Sequence, residues 1–388
     1  MHLNYIDDAK TLAKICQQIQ SCDWIAADTE FLRSQTYYPE LSLVQIQDCQ
    51  NRTFLIDAIA LTSEALQPLW QLLIHPKVLK VFHSARQDLE VLYQTSTQLP
   101  TPIFDTQIAA LFLGYGDSAG LNTLTESLLN ISLNKDQTRT NWHQRPLSPE
   151  QQHYAADDVR YLAPLYQKIV QQLSPEQCQA LQEDFQALQN PTLYHTPPEA
   201  AAQKLGQKSH LSPKQMAIVQ TLATWREQHA QQHNQPRKWI LTDDLIYELA
   251  RRPPKTLQAL YKFQNLKASD IRQYGETWIQ LIDKVFQQPE SWPAKPPKPP
   301  KLDANQQRLA LLVQAWVQQI AEDYKVPSNR ILNKTQLLKL VQSALKTPPQ
   351  KTLIGWRHLL VEKPIQALCQ QQSCLKIHQG QIQIQQQY

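Results

Sequence analysis

Two acidic residues, Asp28 and Glu30, end the apolar run that begins at Trp24. Side chains two positions apart point to the same side of a β-strand, so these two carboxylates can share one cation. Carboxylate oxygens are ligands that hard cations such as Mg²⁺ and Mn²⁺ prefer. Acidic residues at a strand end are also commonly just solvated. The pair therefore becomes informative only together with further acidic residues.

A third carboxylate, Asp88, follows another apolar run at a predicted junction between a strand and a helix, five residues after His83. On that helix Asp88 lies one turn before the apolar Leu92, so its side chain need not point into water. The alternative is a carboxylate in the first turn that is stabilised by the helix dipole.

A helix is predicted to begin at Ser148-Pro149-Glu150, where a capping residue precedes proline. At about 100° per residue, Asp158 falls within the apolar stripe of this helix, one turn after Tyr154. Asp157 and His153 fall on the side that faces water. Because an unpaired buried carboxylate is costly, the position of Asp158 indicates a bound cation.

Taken together, these four carboxylates and one tyrosine fit the hydrolysis of a phosphodiester. Such a set can hold two divalent ions about 3.5–4 Å apart across a scissile phosphate. The pKa of free tyrosine is about 10, so Tyr154 is expected to orient the attacking water by hydrogen bonding rather than to remove its proton.

The elements that must position these residues form an α/β pattern. Short runs rich in Ile, Val and Leu predict strands at 24–28, 41–47, 53–56 and 78–82. Helical periodicity predicts helices at about 85–95, 105–113, 121–130 and 150–172. We therefore expect an α/β domain over residues 1–190, which contains all five candidate site residues and should be separable as a folded nuclease.

The remainder of the chain contains an internal repeat with an offset of 91 residues. The positions that match are Trp225 with Trp316, Pro236 with Pro327, Ile240 with Ile331, Leu241 with Leu332, Ile246 with Leu337 and Leu249 with Leu340. The repeat predicts two homologous all-α modules, at 213–287 and 304–375, whose middle helices begin at the capping residues Thr242 and Asn333. A linker at 191–212, a stiff Pro/Lys-rich linker at 288–303 and a C-terminal tail at 376–388 complete the predicted domain organisation.

Composition narrows the class of protein further. The chain has 388 residues, and its 7 glycines form neither a P-loop nor a dinucleotide-binding fingerprint. Six cysteines without a C-x-x-C motif predict reduced thiols in a cytoplasmic chain, and no apolar run is long enough for a membrane span. We expect no ATP and no membrane among its partners.

Charge is distributed unevenly along the chain. Residues 1–188 contain 12 Lys and Arg against 21 Asp and Glu, whereas residues 189–388 contain 26 against 13. This asymmetry favours nucleic-acid binding by the second half, because cationic side chains that neutralise phosphates release counterions. A solvated basic surface without a partner is the alternative.

The motifs resemble those of ribonuclease D, in the tyrosine branch of the DEDD exonuclease superfamily. The resemblance covers nearly the whole chain. The matching segments are Asp28-Thr29-Glu30-Phe31 with Arg33, Tyr38 and Gln45 behind it, His83 through Asp88-Leu89, and Trp142, Arg145-Pro146-Leu147 and Tyr154 through Val159. The two helical modules resemble HRDC domains, the small nucleic-acid-binding domains shared with RecQ-type helicases, and the second copy is the more divergent.

The resemblance implies a ribonuclease-H-like α/β 3′→5′ exonuclease domain followed by two all-α HRDC bundles. The implied activity is metal-dependent 3′→5′ exoribonuclease, which trims structured RNA such as tRNA precursors and releases nucleoside 5′-monophosphates. The metal ligands carried over are Asp28, Glu30, Asp88 and Asp158, with Tyr154 positioning the water. The cofactors would be two divalent ions, Mg²⁺ or Mn²⁺.

Two departures from the family pattern leave alternatives open. Thr140-Asn141 stands where Ser-Asp is expected, and His153 lies five residues before Asp158, the spacing of the histidine branch. Both the helical wheel and the Tyr-x-x-x-Asp spacing favour Tyr154 over His153. A DNA 3′→5′ exonuclease and a non-catalytic RNA-binding protein on an exonuclease scaffold are the alternative functions.

Overall fold

The structure is a computed structural model that describes residues 3–133, 140–206, 211–294 and 301–386. The chain divides into two compact units. Unit 1 comprises Met1–Phe31, Leu41–Asn190 and Pro300–Tyr388, and unit 2 comprises Leu32–Glu40 and Pro191–Pro299. Each unit has its own buried apolar core.

The first part of unit 1 is built on a six-stranded sheet in the order β1-β4-β3-β2-β5-β6. Its strands are β1 (Leu3–Ile6), β2 (Trp24–Leu32), β3 (Glu40–Gln47), β4 (Thr53–Asp57), β5 (Leu79–Phe82) and β6 (Ile103–Asp105). Its helices are α1 (Ala9–Ile19), α2 (Gln67–Leu73), α3 (Arg86–Ser96), α4 (Thr106–Leu111), α5 (Leu121–Leu129), α6 (Pro149–Gln172) and α7 (Pro175–Leu188). β3 pairs antiparallel with β4, while β1–β4, β2–β5 and β5–β6 are parallel pairs.

This arrangement confirms the α/β prediction, since the four predicted strands and the four predicted helices are all present. The sequence patterns missed two strands, β1 and β6, and three helices, α1, α2 and α7. β1 and β6 have four and three residues. Such short segments are too brief to show a period, and they are strands because longer neighbours supply their hydrogen bonds.

Local signals explain where the long helix α6 begins. Ser148 Oγ accepts from the backbone N–H of Gln151 at 3.2 Å, and Gln151 Oε1 accepts from the N–H of Ser148 at 2.9 Å. This reciprocal capping box satisfies N–H groups at the end of the helix, and Pro149 in the first turn needs no N–H partner. The helix then buries Leu162, Leu165 and Ile169.

Unit 2 is a helical bundle. Its helices are α8 (Pro213–Gln232), α9 (Arg237–Ile240), α10 (Asp243–Arg251), α11 (Leu257–Leu260) and α12 (Ala268–Gln287), with 3₁₀ turns at Pro191–Leu193, Pro198–Leu205 and Pro289–Ser291. Its core surrounds Trp278, which is fully buried.

The stretch 191–212, expected to be a linker, folds against the bundle over much of its described length. In the 3₁₀ helix Pro198–Leu205, Ala201 is buried in the core and Leu205 packs against it. The hydroxyl of Tyr247 donates to the carbonyl of Leu205 at 3.2 Å. Small side chains let this segment approach the bundle closely, which the prediction of a linker did not consider. Residues 207–210 lie outside the described part of the chain.

The second expected linker, 288–303, also begins as ordered structure. After the turn Pro289–Ser291, Trp292 packs against the core, and its indole N–H donates to the carbonyl of Val285 at 2.8 Å. The Pro/Lys-rich residues 295–300 lie outside the described residues.

Segment 32–40, which the sequence placed within the α/β domain, belongs to unit 2. The side-chain oxygen of Asn234 accepts from the backbone N–H groups of Tyr37 and Tyr38 at 3.1 and 3.0 Å. These side-chain contacts across nearly 200 residues leave no periodic signal in the sequence.

The C-terminal part of unit 1 comprises α13 (Ala304–Tyr324), α14 (Ser328–Ile331), α15 (Lys334–Ala344), α16 (Gly355–Arg357), a π-helical turn at His358–Glu362, α17 (Lys363–Cys369), β7 (Ser373–His378) and β8 (Gln381–Gln386). A long helix, a four-residue helix and a capped helix follow one another in α13, α14 and α15, as they do in α8, α9 and α10. The predicted capping residues act as expected, because Thr242 accepts from Leu245 N at 3.4 Å and Asn333 from Gln336 N at 2.9 Å.

The predicted tail, 376–388, forms most of a hairpin in its described residues. β7 and β8 pair antiparallel, with His378 opposite Gln381. Gln379 and Gly380, the two residues of the turn, have φ angles of 50° and 82°. A two-residue turn in the left-handed region matches the twist of paired strands, and glycine adopts it at no steric cost.

The C-terminal part packs on the α/β part of the same unit. The ring of Trp356 lies 5.5 Å from that of Phe112, and the backbone N–H of Trp356 donates to Glu183. Arg357 pairs with Asp184 at 3.0 Å. The expectation of an independent domain over residues 1–190 therefore omits a surface of the α/β part that the C-terminal part covers.

Two cysteines differ from the expectation of reduced thiols, since Cys22 and Cys49 form a disulfide with Cα atoms 5.7 Å apart. The sheet brings together Cys22, two residues before β2, and Cys49 in the turn after β3, which a search for closely spaced cysteines cannot find. Among the described residues, no helix combines the length and the apolar character that crossing a membrane requires.

Candidate active site

Three of the predicted carboxylates converge. Asp28 and Glu30 on β2 and Asp158 on α6 each offer an oxygen atom, and the three atoms lie within 4.8 Å of one another. All three residues are partly buried. The strand places its two acids on one side, and the apolar neighbours of Asp158 turn α6 toward the sheet. Residues 128 positions apart in the sequence thus meet at one site.

Asp88 lies outside this group of three but is attached to the same strand. Its Oδ1 accepts from the hydroxyl of Thr29 at 2.6 Å and from the backbone N–H of Thr29 at 3.2 Å. Asp88 lies in the first turn of α3, as the alternative held, but it is 6% exposed and is bound to the strand that carries Asp28 and Glu30. Thr29, between Asp28 and Glu30, fixes the orientation of the fourth acid.

Burial and mutual repulsion shift all four carboxyl groups in one direction. Burial, followed by the charges of Asp28, Asp158 and Asp88, raises the pKa of Glu30 to about 10. Burial, followed by the charges of Asp157 and Asp88, raises the pKa of Asp158 to about 7. The pKa values of Asp28 and Asp88 are raised by burial and then by their acidic neighbours. Four acids with such shifts fit a cationic ligand, which would stabilise their charged forms.

Tyr154 lies one turn before Asp158 on α6. It is partly buried, and its ring packs against that of Trp142 with centroids 6.0 Å apart. Tyr154 also contacts a small core that includes Leu43 and Leu55 of the sheet. This packing restricts the ring and directs the face of α6 that bears Tyr154 and Asp158 inward.

The two neighbours that the helical wheel turned outward differ from Tyr154 and Asp158. His153 is exposed, and its Nδ1 lies 2.6 Å from the carbonyl oxygen of Pro149. The side chain of Asp157 is 40% exposed and lies 3.7 Å from Arg160. The partial burial of Asp157 is greater than the wheel implied.

Arg145, which the family motif contains without an assigned role, organises the segment before α6. Its guanidinium forms two hydrogen bonds to the carboxylate of Asp57, at 2.6 and 2.7 Å, and also donates to the carbonyl groups of Ser42, Trp142 and Gln144 at 2.7–2.8 Å. Burial opposes the charged form of Asp57, but hydrogen bonds from Arg145 and Tyr5 lower its pKa overall. The cluster connects the backbone at Trp142 to the sheet, and so positions the Trp142 ring that packs against Tyr154.

Sequence patterns missed Asp105, which supports the loop before α3. Its carboxylate accepts from the backbone N–H groups of Ser84 and Ala85 at 3.0 and 2.8 Å, and it caps α4. Ser84 has a φ of 59°, an uncommon conformation for a residue with a side chain. Asp105 thus stabilises the turn that leads into the helix of Asp88. The helix predicted at about 105–113 began at Asp105, and an aspartate at the start of a helix was the available signal for the cap.

Comparison with known families agrees with this geometry. Residues 3–174 match the family model of 3′-5′ exonucleases, and residues 215–282 match that of the HRDC domain. The fold and the acidic site thus define an exonuclease of the DEDD class, with a ribonuclease-H-like α/β domain and an HRDC domain.

Relatives of similar length define the family more narrowly. The chain is 35% identical to ribonuclease D of Pseudomonas paraeruginosa, over 92% of this chain and 94% of that protein. It is 33% identical to ribonuclease D of Haemophilus influenzae, over 95% and 93%. The crystal structure of Escherichia coli RNase D superposes with a TM-score of 0.82 at 29% identity and covers 96% of this chain and 99% of that one.

The chain belongs to the ribonuclease D family. It is a 3′→5′ exoribonuclease. Exonucleases of the DEDD class depend on divalent cations, and the acidic cluster supplies suitable ligands.

Proposed function

We propose that this exoribonuclease trims the 3′ ends of structured RNA, above all in the maturation of tRNA precursors, and releases nucleoside 5′-monophosphates. The observation that carries the proposal is the convergence of Asp28, Glu30 and Asp158, with Asp88 attached through Thr29. Support for the substrate class comes from E. coli RNase D, an exoribonuclease involved in structured RNA processing. The excess of basic residues after position 188 adds positive charge that can bind the phosphates of an RNA.

In this proposal Asp28, Glu30, Asp88 and Asp158 hold two divalent ions, Mg²⁺ or Mn²⁺. When bound, such ions activate water and stabilise the leaving oxygen of a phosphodiester. The chain's own contribution is to hold the four carboxylates in place despite their repulsion. Thr29 orients Asp88, and the apolar contacts of α6 hold Asp158 against the sheet.

We assign the chain to the tyrosine branch, with the hydroxyl of Tyr154 orienting the attacking water. The packing of Tyr154 on Trp142 and its position one turn before Asp158 support this role. His153 is exposed and lies close to a backbone carbonyl at the start of its own helix.

The domain organisation in this proposal is an exonuclease domain (1–190), two HRDC domains (213–287 and 304–375), linkers between them and a C-terminal segment (376–388). The HRDC family model covers residues within the first copy only. Support for the second copy comes from the 91-residue repeat and from the shared order of a long helix, a four-residue helix and a capped helix.

The test uses a 3′-extended tRNA precursor and a single-stranded DNA of the same sequence as its 3′ end, each with Mg²⁺ and then with EDTA. We expect stepwise shortening of the RNA from its 3′ end, nucleoside 5′-monophosphates by mass spectrometry, and no reaction in EDTA. The Asp28→Asn variant should be inactive, and Asp157→Asn is the matched control.

Faster degradation of the DNA would assign the chain to DNA 3′→5′ exonucleases. Binding of the precursor without any hydrolysis would indicate a non-catalytic RNA-binding protein. Either result would refute the proposed function.

A further inference from the structure

Unit 2 contains a cleft of about 560 Å³ between segment 32–40 and the helices α8 and α9. We call it the basic cleft, because five of its lining side chains are cationic and two are anionic. The cationic residues are Arg33, Lys204, Arg226, Arg237 and Lys238, and the anionic ones are Glu227 and Asp243. The excess of positive charge favours an anionic ligand.

Ion pairs within the wall hold two of the cations. Arg237 donates from Nη2 to Glu227 at 2.6 Å, and Arg226 donates from Nη1 to Asp243 at 2.7 Å. Glu227 is nearly fully buried. The pairs account for both anionic lining side chains, and the exposed Lys204 and Lys238 add positive charge to the cleft.

Contacts of Tyr37 attach segment 32–40 to the helices that form the rest of the wall. The ring of Tyr37 lies 4.6 Å from the guanidinium of Arg237, and its hydroxyl accepts from Arg237 Nη2 at 2.8 Å. Gln231 donates to the same hydroxyl at 3.1 Å. These contacts fasten the segment that carries Arg33 to the helices, so the chain's own side chains hold the wall in place.

Arg226 is fixed in the wall of the cleft by its own contacts. The residue is 3% exposed, and its Nη1 donates to the carbonyl of Leu241 at 2.6 Å as well as to Asp243.

Trp239 supplies an aromatic surface on the same wall. Its side chain is 58% exposed, whereas the next residue, Ile240, is buried and anchors the short helix α9. Exposed indole rings beside cations are the combination that binds single-stranded nucleic acid, because a base stacks on the ring while the cations contact phosphates.

We propose that the basic cleft binds a nucleotide of single-stranded RNA, with its base stacked on Trp239 and its phosphate near Lys238. The proposal rests on the proposed function, since it names a site in unit 2 that binds the RNA substrate. The volume of the cleft fits one nucleotide unit rather than a duplex.

The test measures binding of a fluorescent 12-nucleotide single-stranded RNA to full-length Asp28→Asn protein in EDTA, where the RNA stays intact. Adding Trp239→Ala should raise Kd about tenfold, the size expected for one lost stacking contact. Trp239→Phe, which keeps an aromatic face, should recover most of the affinity. Tyr261→Ala is the matched control, because Tyr261 is 55% exposed on the same unit but does not line the cleft.

A salt titration tests the phosphate contact separately. Lys238→Gln should reduce the slope of log K against log salt by about 0.7, the value for one phosphate contact on a single strand. Lys267→Gln, an exposed lysine of the same unit outside the cleft, should leave the slope unchanged. Adenosine 5′-monophosphate should not displace the RNA at concentrations near the Kd of the RNA.

Equal affinities of the parent and Trp239→Ala proteins would overturn the proposal, as would an equal loss in Tyr261→Ala. Displacement of the RNA by adenosine 5′-monophosphate at low concentration would make the cleft a site for a free nucleotide instead. Because binding is measured without hydrolysis, these outcomes are independent of whether the wild-type protein degrades RNA.

Discussion

Asp28, Glu30 and Asp158 repel one another in a partly buried site, and this repulsion has a measurable cost when no cation is bound. Burial and neighbouring acids raise the pKa of Glu30 to about 10 and that of Asp158 to about 7. A carboxyl group with a raised folded-state pKa takes up protons on folding at intermediate pH. The free energy of unfolding therefore falls as pH rises from about 4.5 through these values.

We expect Asp28→Asn to raise the melting temperature in EDTA by about 2 °C or more at pH 8, because one of the repelling charges is removed. The gain should shrink at pH 5, where the acids are protonated, and disappear in Mg²⁺. Differential scanning calorimetry measures both effects. Asp23→Asn, at an exposed position outside the cluster, is the control, and an equal gain there would show that general surface charge is responsible.

The two adjacent aspartates of α6 should have different effects on activity. Asp158→Asn removes a carboxylate of the cluster and should lower turnover at least ~100-fold. Asp157→Asn should keep activity within about threefold, because Asp157 is half-exposed beside Arg160. Initial rates on 3′-extended RNA in saturating Mg²⁺ measure the turnover of both variants. Comparable losses in the two variants would contradict the assignment of Asp158.

Tyr154→Phe removes only a hydroxyl and keeps the packing on Trp142. We expect it to lower kcat by about 100-fold while the melting temperature stays nearly constant, the scale at which positioned proton-transfer groups contribute. His153→Ala should change kcat little, since His153 is exposed. A larger loss in His153→Ala would transfer the water-positioning role to the histidine.

At the scale of single residues, the sequence was most informative where chemistry restricts residue type. Acidic residues at a spacing of two on a strand, at a junction between a strand and a helix, and four after a tyrosine on a helix formed the candidate set only when they were taken together. The bond from Thr29 to Asp88 spans 59 residues. It could not be predicted, because many threonine positions satisfy local patterns equally well.

At the scale of elements, the segment before α6 depends on Arg145. Its planar guanidinium bridges Asp57 and three backbone carbonyl groups, a pattern that the single ammonium group of lysine cannot reproduce. We expect Arg145→Lys to lower the free energy of unfolding by about 3 kcal/mol, since Asp57 would stay buried with an incomplete partner. The value of kcat should fall too, because Trp142 beneath Tyr154 loses its anchor.

Urea denaturation and turnover of the same protein preparations test this prediction. Arg160→Lys is the matched control, and its half-exposed pair with Asp157 should change stability by less than about 1 kcal/mol. If Arg145→Lys unfolds at the same urea concentration as the parent, Arg145 does not anchor this segment.

Periodicity predicted the elements that bury a continuous apolar face, such as β2, β3 and α6. It failed for β1 and β6, whose short runs become strands only through pairing with β4 and β5. The 3₁₀ helix at Pro198–Leu205 was missed for a related reason, because proline and small residues suggest a linker until a neighbouring surface is available to pack on.

At the scale of the whole chain, charge asymmetry and the internal repeat were visible in sequence, whereas the assignment of segments to units was not. Residues after Pro300 group with the α/β part, through contacts whose partners lie more than 170 residues apart. Such contacts are set by surface complementarity in three dimensions, and one sequence contains no record of which surfaces meet.

The packing of Trp356 on Phe112 therefore yields a prediction about the fragment 1–190. Phe112 is fully buried and Trp356 is 4% exposed, so truncation after residue 190 uncovers apolar surface on the α/β part. We expect the fragment to bind more of a hydrophobic dye and to melt at lower temperature than the full chain. In the full-length protein, Trp356→Ala should lower the free energy of unfolding by about 3 kcal/mol. Leu311→Ala, at a position 67% exposed on α13, should have little effect. A fragment as stable as the full chain, together with a neutral Trp356→Ala, would mean that the α/β part needs no cover, as the sequence alone suggested.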